Sequence, residues 1–305
     1  MPADRKDPMR ELPPSHPFRR LAAPLAFAAA LALAALAPAA AQTPPAPVQE
    51  GQAAAEAARL VEILKLPALM EIMQREGVAY GDELRADLFP GQGGAEWTRS
   101  VEGIYAPDRL MPLFAQVFAA ELEGTDTAAM RAFFEAGPGA RAVELEIAAR
   151  RALLDPGVEE AADQNLEELL AGQSPRLLAI EEFAEAGELV EMNVLGGLNA
   201  NLAFYRGMID GGGLPQETSE AQLLADVWSQ EDAIRTETRD WLYAYLALAY
   251  APMSDAELQA YADFSRGPAG RALNRALFAG FDAVFARVSY ELGLGAARYL
   301  AGQDI

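Results

Sequence analysis

The stretch MSDAELQAYADFSRGPAGRALNRAL, residues 253–277, decides the fold class of this chain. Ser254 and Asp255 are typical of a helix start, and apolar residues at helical spacing follow them as far as Phe264. Gly267 then ends this helix, and Pro268 suits the first turn of the next one. The stretch therefore predicts two consecutive helices separated by a short break.

The same pattern occurs earlier in the chain, at a constant offset of 130 residues. The corresponding residues are Phe134 and Phe264, Gly137 and Gly267, Pro138 and Pro268, Arg141 and Arg271, and Ala142 and Ala272. A repeated helix–break–helix unit predicts two related helical lobes.

The remaining segments show apolar residues at helical spacing between Gly and Pro breaks, and none shows sustained period-two alternation. We therefore predict an all-α fold, a multi-helix bundle with an N-terminal lobe over residues 53–172 and a C-terminal lobe over residues 173–305. Pro67 is expected to break the first helix, and Gly77 to end the second. The pattern from Thr218 to Tyr250 allows one unbroken helix.

Residues 253–277 resemble the exported bacterial proteins of domain-of-unknown-function family 2059. The likeness is carried by the polar helix start, the aromatic near the helix end and the small-Pro-small-Gly break. The earlier copy, from Thr125 to Val143, matches more loosely, because Ala140 stands where Gly270 stands. The resemblance implies an all-helical periplasmic protein and brings no activity and no catalytic residues.

The N-terminus has the features of a signal peptide. Arg19 and Arg20 precede an apolar run over residues 21–37, and a small-residue cleavage site follows, with Gln42 as the new N-terminus. We predict a signal peptide over residues 1–41 and a Pro-rich tether over residues 42–52; an uncleaved anchor is the alternative. The chain has no cysteine, and an exported protein without disulfides suits the periplasm, with secretion beyond the cell as the alternative.

Charge and composition exclude several function classes. The formal net charge is −21, and removal of residues 1–41, with five basic and three acidic residues, leaves −23. Nucleic acid and an anionic bilayer are therefore not expected as partners, whereas a protein partner in the envelope is compatible with this charge. The single histidine, His16, lies in the leader, so neither a histidine-based triad nor an ordinary zinc site is expected in the mature chain, and no cofactor or metal is predicted.

Two arginines and several aromatic side chains are the candidate ligand-binding residues. Arg141 and Arg271 follow their Gly-Pro breaks by about one turn, where a guanidinium and a helix start could hold a carboxylate or phosphate. An internal ion pair is the alternative. Phe264 and Tyr245 are the aromatic candidates for the same ligand site, although the spacing of Tyr245 and Trp241 also fits an ordinary core helix.

Paired acids such as Glu144 and Glu146 are interpreted as a solvated helix face, because neighbours two apart point in different directions. We therefore predict a periplasmic, non-catalytic helical interaction or binding protein. The alternative is a carboxylate-dependent hydrolase acting on cell-wall or carbohydrate material, which would need two acids held about 5–10 Å apart. A carrier for an apolar small molecule between the lobes is a third possibility.

Overall fold

The computed structural model describes residues 47–214 and 219–301, with side chains from residue 54 onward, and all regular structure in these ranges is helical. The prediction of an all-α multi-helix bundle is confirmed. The predicted signal peptide and residues 42–46 of the predicted tether lie outside the described residues. Within the described ranges, no helix combines the length and the apolar character needed to cross a bilayer.

The helices are α1 (Pro47–Ile63), α2 (Leu66–Leu88), α3 (Gly94–Ile104), α4 (Pro107–Glu121), α5 (Ala128–Phe134), α6 (Gly137–Ala152), α7 (Pro156–Ala171), α8 (Pro175–Ala186), α9 (Leu189–Asp210), α10 (Glu220–Trp228), α11 (Glu231–Tyr250), α12 (Asp255–Arg266) and α13 (Pro268–Leu300).

The last helix, α13, packs most extensively against α9 and also contacts α4, α3 and α12. A Cβ atom on Gly207 of α9 would lie 2.1 Å from the carbonyl oxygen of Tyr290. Reciprocally, a Cβ atom on Gly293 of α13 would lie 2.1 Å from the carbonyl oxygen of Phe204. Only glycine permits backbones to approach this closely. Gly207 and Gly293 therefore set the position at which α9 and α13 pack against each other.

The hydrophobic core is continuous across the predicted boundary between the lobes. Buried residues of the first half, such as Met130, belong to the same cluster as Ile234 of the second half. Phe114 of α4 and Phe281 of α13 pack with their ring centroids 4.7 Å apart. Residues 172–174 connect α7, whose buried residues Ala162 and Leu166 belong to a small separate cluster, to α8, which contributes to this cluster and to the main core.

Two helix ends near the N-terminus differ from the predictions. Helix α1 begins at Pro47, inside the predicted tether, because proline suits a first turn and good helix formers follow it. The break after α1 lies at Lys65, whose φ is 53°, so Pro67 stands in the first turn of α2. Helix α2 continues through Gly77 because glycine leaves room there for the ring of Tyr105, which an added Cβ would approach to 2.4 Å.

The helical pattern that the sequence allows to run unbroken to Tyr250 is divided into α10 and α11. The Ser219–Gln222 capping box opens α10, whereas Thr218 lies outside the described residues. At its other end, the hydroxyl of Ser229 donates a 2.6 Å hydrogen bond to the carbonyl oxygen of Asp226. The serine hydroxyl thus satisfies the Asp226 carbonyl, which would accept a backbone hydrogen bond if the helix continued. The chain therefore turns at this point.

Candidate functional site

Two charged residues occupy the buried face of α6. Ala142, Val143, Glu146 and Arg150 recur at helical spacing, and each is at most 3% exposed. Glu146 and Arg150 therefore stand at core positions of a stripe that is otherwise apolar. Because a buried charge is unfavourable unless it is paired and hydrogen-bonded, the neighbouring helices must supply its partners.

The carboxyl group of Glu146 is surrounded by tyrosines from α11 and α12. The hydroxyl of Tyr250 donates a 2.6 Å hydrogen bond to Oε1 of Glu146, and that of Tyr245 donates to the Glu146 backbone carbonyl at 3.3 Å. Oε2 of Glu146 is buried and has no hydrogen-bond partner. Tyr261 also lowers the pKa of this carboxyl group, although its hydroxyl lies outside ordinary hydrogen-bond geometry. Burial raises the pKa of Glu146 to about 7, and Tyr250 and Tyr261 partly oppose that rise.

Arg150 connects α6 to α2 and α11. Its Nε and Nη2 atoms donate to the two carboxylate oxygens of Glu76, each at 2.7 Å. The guanidinium carbon lies 4.8 Å from the ring centroid of Trp241, within cation–π range. Trp241 in turn stacks on Tyr245 with centroids 5.2 Å apart. A line of contacts thus runs from Glu76 on α2 to the Glu146 region of the core.

A surface cleft of about 260 Å³ opens beside this line of contacts. Its lining combines charged, aromatic and apolar side chains from α2, α6, α7 and α11 and from the turn between α6 and α7. The lining residues are Arg75, Glu76, Ala79, Arg150, Leu153, Leu154, Pro156, Glu159 and Trp241. Because Arg150 is bound to Glu76 and contacts Trp241, the polar part of the cleft is preorganised, as binding sites for small molecules require.

The structure places the predicted pair Arg141 and Arg271 in unlike environments. Arg141 donates to Oε1 of Glu257 at 2.7 Å and to the carbonyl oxygen of Pro252 at 2.5 Å, just before α12. Arg271 donates instead to the carbonyl oxygen of Arg266 at the end of α12. Both guanidinium groups are thus bound to the protein itself, and neither lines the cleft beside Trp241.

The difference between these arginines has a geometric cause. A Cβ on Gly139 would lie 2.4 Å from the carbonyl oxygen of Phe133, and one on Gly270 would lie 2.2 Å from that of Phe264. The break before α6 therefore corresponds to the break before α13 at an offset of 131 residues. This offset is one residue larger than the offset of 130 in the sequence repeat. Arg141 and Arg271 consequently point in directions about 100° apart around their helices.

The aromatic candidates also lie apart from each other. Phe264 stacks on Phe133 with centroids 4.1 Å apart, so the two helix breaks pack directly together. Tyr245 is only 2% exposed and lies behind Trp241, which supplies the aromatic wall of the cleft. None of the four predicted ligand residues lines the cleft beside Trp241.

The interpretation of Glu146 as part of a solvated face is wrong. Glu144 is exposed and binds Lys65, whereas Glu146 is fully buried. The signal that could have separated them is the spacing to Ala142 and Val143, which puts Glu146, but not Glu144, on the apolar stripe of α6.

Within the described ranges, no group of three or more acidic, histidine or cysteine side chains is placed to hold a metal ion. Comparisons of the chain with known protein families, with curated proteins and with solved structures find no match. The resemblance of residues 253–277 to domain-of-unknown-function family 2059 therefore stays a prediction from sequence.

Proposed function

We propose that this chain is an exported, non-catalytic helical binding protein of the bacterial periplasm, and that the cleft beside Trp241 is its binding site. The observation that carries the proposal is the composition of this cleft. An aromatic side chain, apolar walls and a preorganised guanidinium meet at one surface opening, formed by helices from both halves of the chain. This combination is typical of sites that bind a ligand by shape and a few polar contacts.

The acids near the cleft favour binding over hydrolysis. Both carboxylate oxygens of Glu76 accept hydrogen bonds from Arg150, which holds this group as a paired carboxylate. Glu146, whose raised pKa would suit a general acid, is fully buried beneath the surface. A carboxylate-dependent hydrolase needs two acids that reach the substrate. Glu76 and Glu159 are the acids that line the cleft, and Glu76 is held by Arg150, so the cleft does not offer such a pair.

The periplasmic location is part of the proposal and is supported by the N-terminal sequence. A positive region, an apolar run and a small-residue cleavage site come in the order that export requires. The similarity to family 2059 points to the same compartment. The acidic balance of the chain favours a partner or ligand other than nucleic acid.

Photo-crosslinking in the producing bacterium tests both parts of the proposal. A benzophenone amino acid is placed at Ala79, an exposed residue of the cleft, and in a matched control at Ala95, an exposed residue of α3 that does not line it. After irradiation, the protein is recovered from the periplasmic fraction, and adducts are identified by mass. We expect a discrete adduct from Ala79 and none from Ala95. Recovery of the chain in the cytoplasm alone, or equal labelling from both positions, would contradict the proposal.

A further inference from the structure

Arg75, at the cleft, differs from most of the arginines that the structure describes. The chain has 45 acidic and 24 basic residues, so an exposed arginine is readily matched by an acid, as Arg59 and Arg206 are. Arg75 is exposed, and no ion pair or hydrogen bond joins it to another residue in the part of the chain that the structure describes. Its guanidinium therefore keeps its hydrogen-bonding capacity for a group from outside.

Two of the charged residues beside Arg75 balance each other. Arg150 is neutralised by Glu76 through two parallel hydrogen bonds, which leaves the floor of the cleft without net charge. Glu159, the other acid of the lining, makes interactions of its own, and no ion pair or hydrogen bond joins it to Arg75. Arg75 thus stands beside a preorganised ion pair, with its own guanidinium unpaired.

The walls of the cleft are apolar. Leu153, Leu154 and Pro156 line it together with the ring of Trp241. Apolar surface of this kind favours a ligand body without charges of its own, because burial of apolar area is the main source of affinity. The volume of about 260 Å³ limits that body to a compact molecule.

We propose that the cleft binds a small molecule that combines a compact apolar body with one carboxylate group, which Arg75 receives. The apolar body lies against Trp241 and Leu153, and the carboxylate accepts hydrogen bonds from the Arg75 guanidinium at the rim. A fork of parallel N–H donors matches the two oxygens of a carboxylate, which a lone cation would not do. This inference rests on the proposed function of the cleft and specifies the class of its ligand.

Three probes that share one ring and differ in charge test the ligand class. Benzoate, benzyl alcohol and benzylamine are titrated into the purified protein by calorimetry, and the indole N–H signal of Trp241 reports the location by NMR. The titrations are made at physiological ionic strength, because the acidic surface repels anions at lower salt. We expect benzoate to bind about tenfold more tightly than benzyl alcohol, the difference that one charge-assisted contact supplies. Benzylamine should bind weakest.

Substitution of Arg75 separates this contact from general binding. Arg75→Gln should bring benzoate down to the affinity of benzyl alcohol and leave the alcohol within about twofold of its original affinity. Arg99→Gln is the matched control, because Arg99 is exposed and does not line the cleft. Since both side chains are exposed, neither change should alter the far-UV dichroism of the protein.

Three results would overturn the inference: equal binding of acid and alcohol, an acid preference that survives Arg75→Gln, or no binding of benzoate. The crosslinking experiment distinguishes this failure from failure of the proposed function. If the Ala79 adduct forms while benzoate shows no preference, the cleft binds a ligand of another class. If no adduct forms at Ala79 and benzoate does not bind, the cleft is not a binding site.

Discussion

Tyr250 donates a 2.6 Å hydrogen bond to Oε1 of Glu146, and this contact joins α11 to the buried face of α6. The other carboxylate oxygen, Oε2, has no partner and no contact with solvent. An ionised carboxylate in this environment lacks the donors that would replace its hydration, whereas a protonated carboxyl group needs fewer of them. The bundle therefore contains a core acid that favours its neutral form.

Glu146 should make the stability of the protein fall as pH rises. Its pKa is about 7 in the folded protein, against 4.5 for an ordinary glutamate, so between these values the folded state holds a proton that the unfolded state has lost. The stabilisation from this group is complete below pH 4.5 and is lost as pH rises through the folded pKa. Linkage puts the loss at about 3 kcal/mol. Glu146→Gln should remove this pH dependence, and urea unfolding of both proteins from pH 5 to pH 8 measures it.

The control for this experiment lies two residues away on the same helix. Glu144→Gln changes an exposed acid that pairs with Lys65 and should leave the pH profile of unfolding almost parallel to that of the wild type. A stability difference between wild type and Glu146→Gln that stays constant from pH 5 to pH 8 would show that Glu146 does not titrate in this range.

The ion pair of Glu76 and Arg150 should be far more sensitive to single substitutions than the surface pairs are. The side chain of Arg150 is 3% exposed and that of Glu76 is 18% exposed, so removal of one partner leaves a poorly hydrated charge. Glu76→Gln is expected to lower the free energy of unfolding by about 3 kcal/mol. Substitution of both residues by apolar ones, Glu76→Met with Arg150→Met, should restore most of this loss.

The exposed pair of Arg206 and Glu220 provides the comparison, since both side chains are at least half exposed. Arg206→Gln should change the unfolding free energy by less than about 1 kcal/mol. If Glu76→Gln and Arg206→Gln destabilised the protein equally, or if the double methionine variant were less stable than Glu76→Gln, the assignment of Glu76 and Arg150 as a buried pair would be wrong.

The contact between α9 and α13 should not tolerate a side chain at Gly207. An alanine Cβ there would meet the carbonyl oxygen of Tyr290 at 2.1 Å, and a backbone atom cannot move aside without separating the helices. Gly207→Ala should therefore destabilise the protein by about 3 kcal/mol, as overpacking does.

Gly103→Ala is the matched control, because nothing lies within 4 Å of its added Cβ. That control should be neutral or stabilising by up to about 1 kcal/mol, since alanine is the better helix former. Thermal unfolding of the two variants decides between these outcomes.

Helical periodicity and Gly-Pro breaks were sufficient to predict the fold class and most helices. They could not predict the behaviour of Gly77 or the register of the repeat, because both depend on tertiary contacts. Gly77 lies inside a helix because the ring of Tyr105 packs on it, and the breaks align through the contacts of Gly139 and Gly270 with carbonyl oxygens. Matching identical residues of the two copies predicts an offset that is one residue too short.

The candidate site was harder to predict than the fold. Its parts come from segments that are distant in sequence: Glu76 lies on α2, Arg150 on α6 and Trp241 on α11. Periodicity shows that Glu146 and Arg150 share the apolar face of α6, and this much could have been predicted. It does not show which helix covers that face. It therefore predicts neither the tyrosines around Glu146 nor the cleft beside Trp241.

The acid at the start of α12 provides a test of how Arg141 acts. The pKa of Glu257 is lowered to about 2, first by the hydroxyl of Ser254, then by the backbone N–H of the same residue and then by Arg141. Ser254→Ala and Arg141→Gln should therefore each raise the pKa of Glu257, and both changes should leave it below 4.5, because the backbone N–H of residue 254 remains as a donor. Arg271→Gln is the control, since Arg271 contacts a different carbonyl and should leave this pKa unchanged. NMR titration of the Glu257 side chain measures all three. An unchanged pKa in Arg141→Gln would mean that the capping box alone, and not the guanidinium, holds this carboxylate ionised.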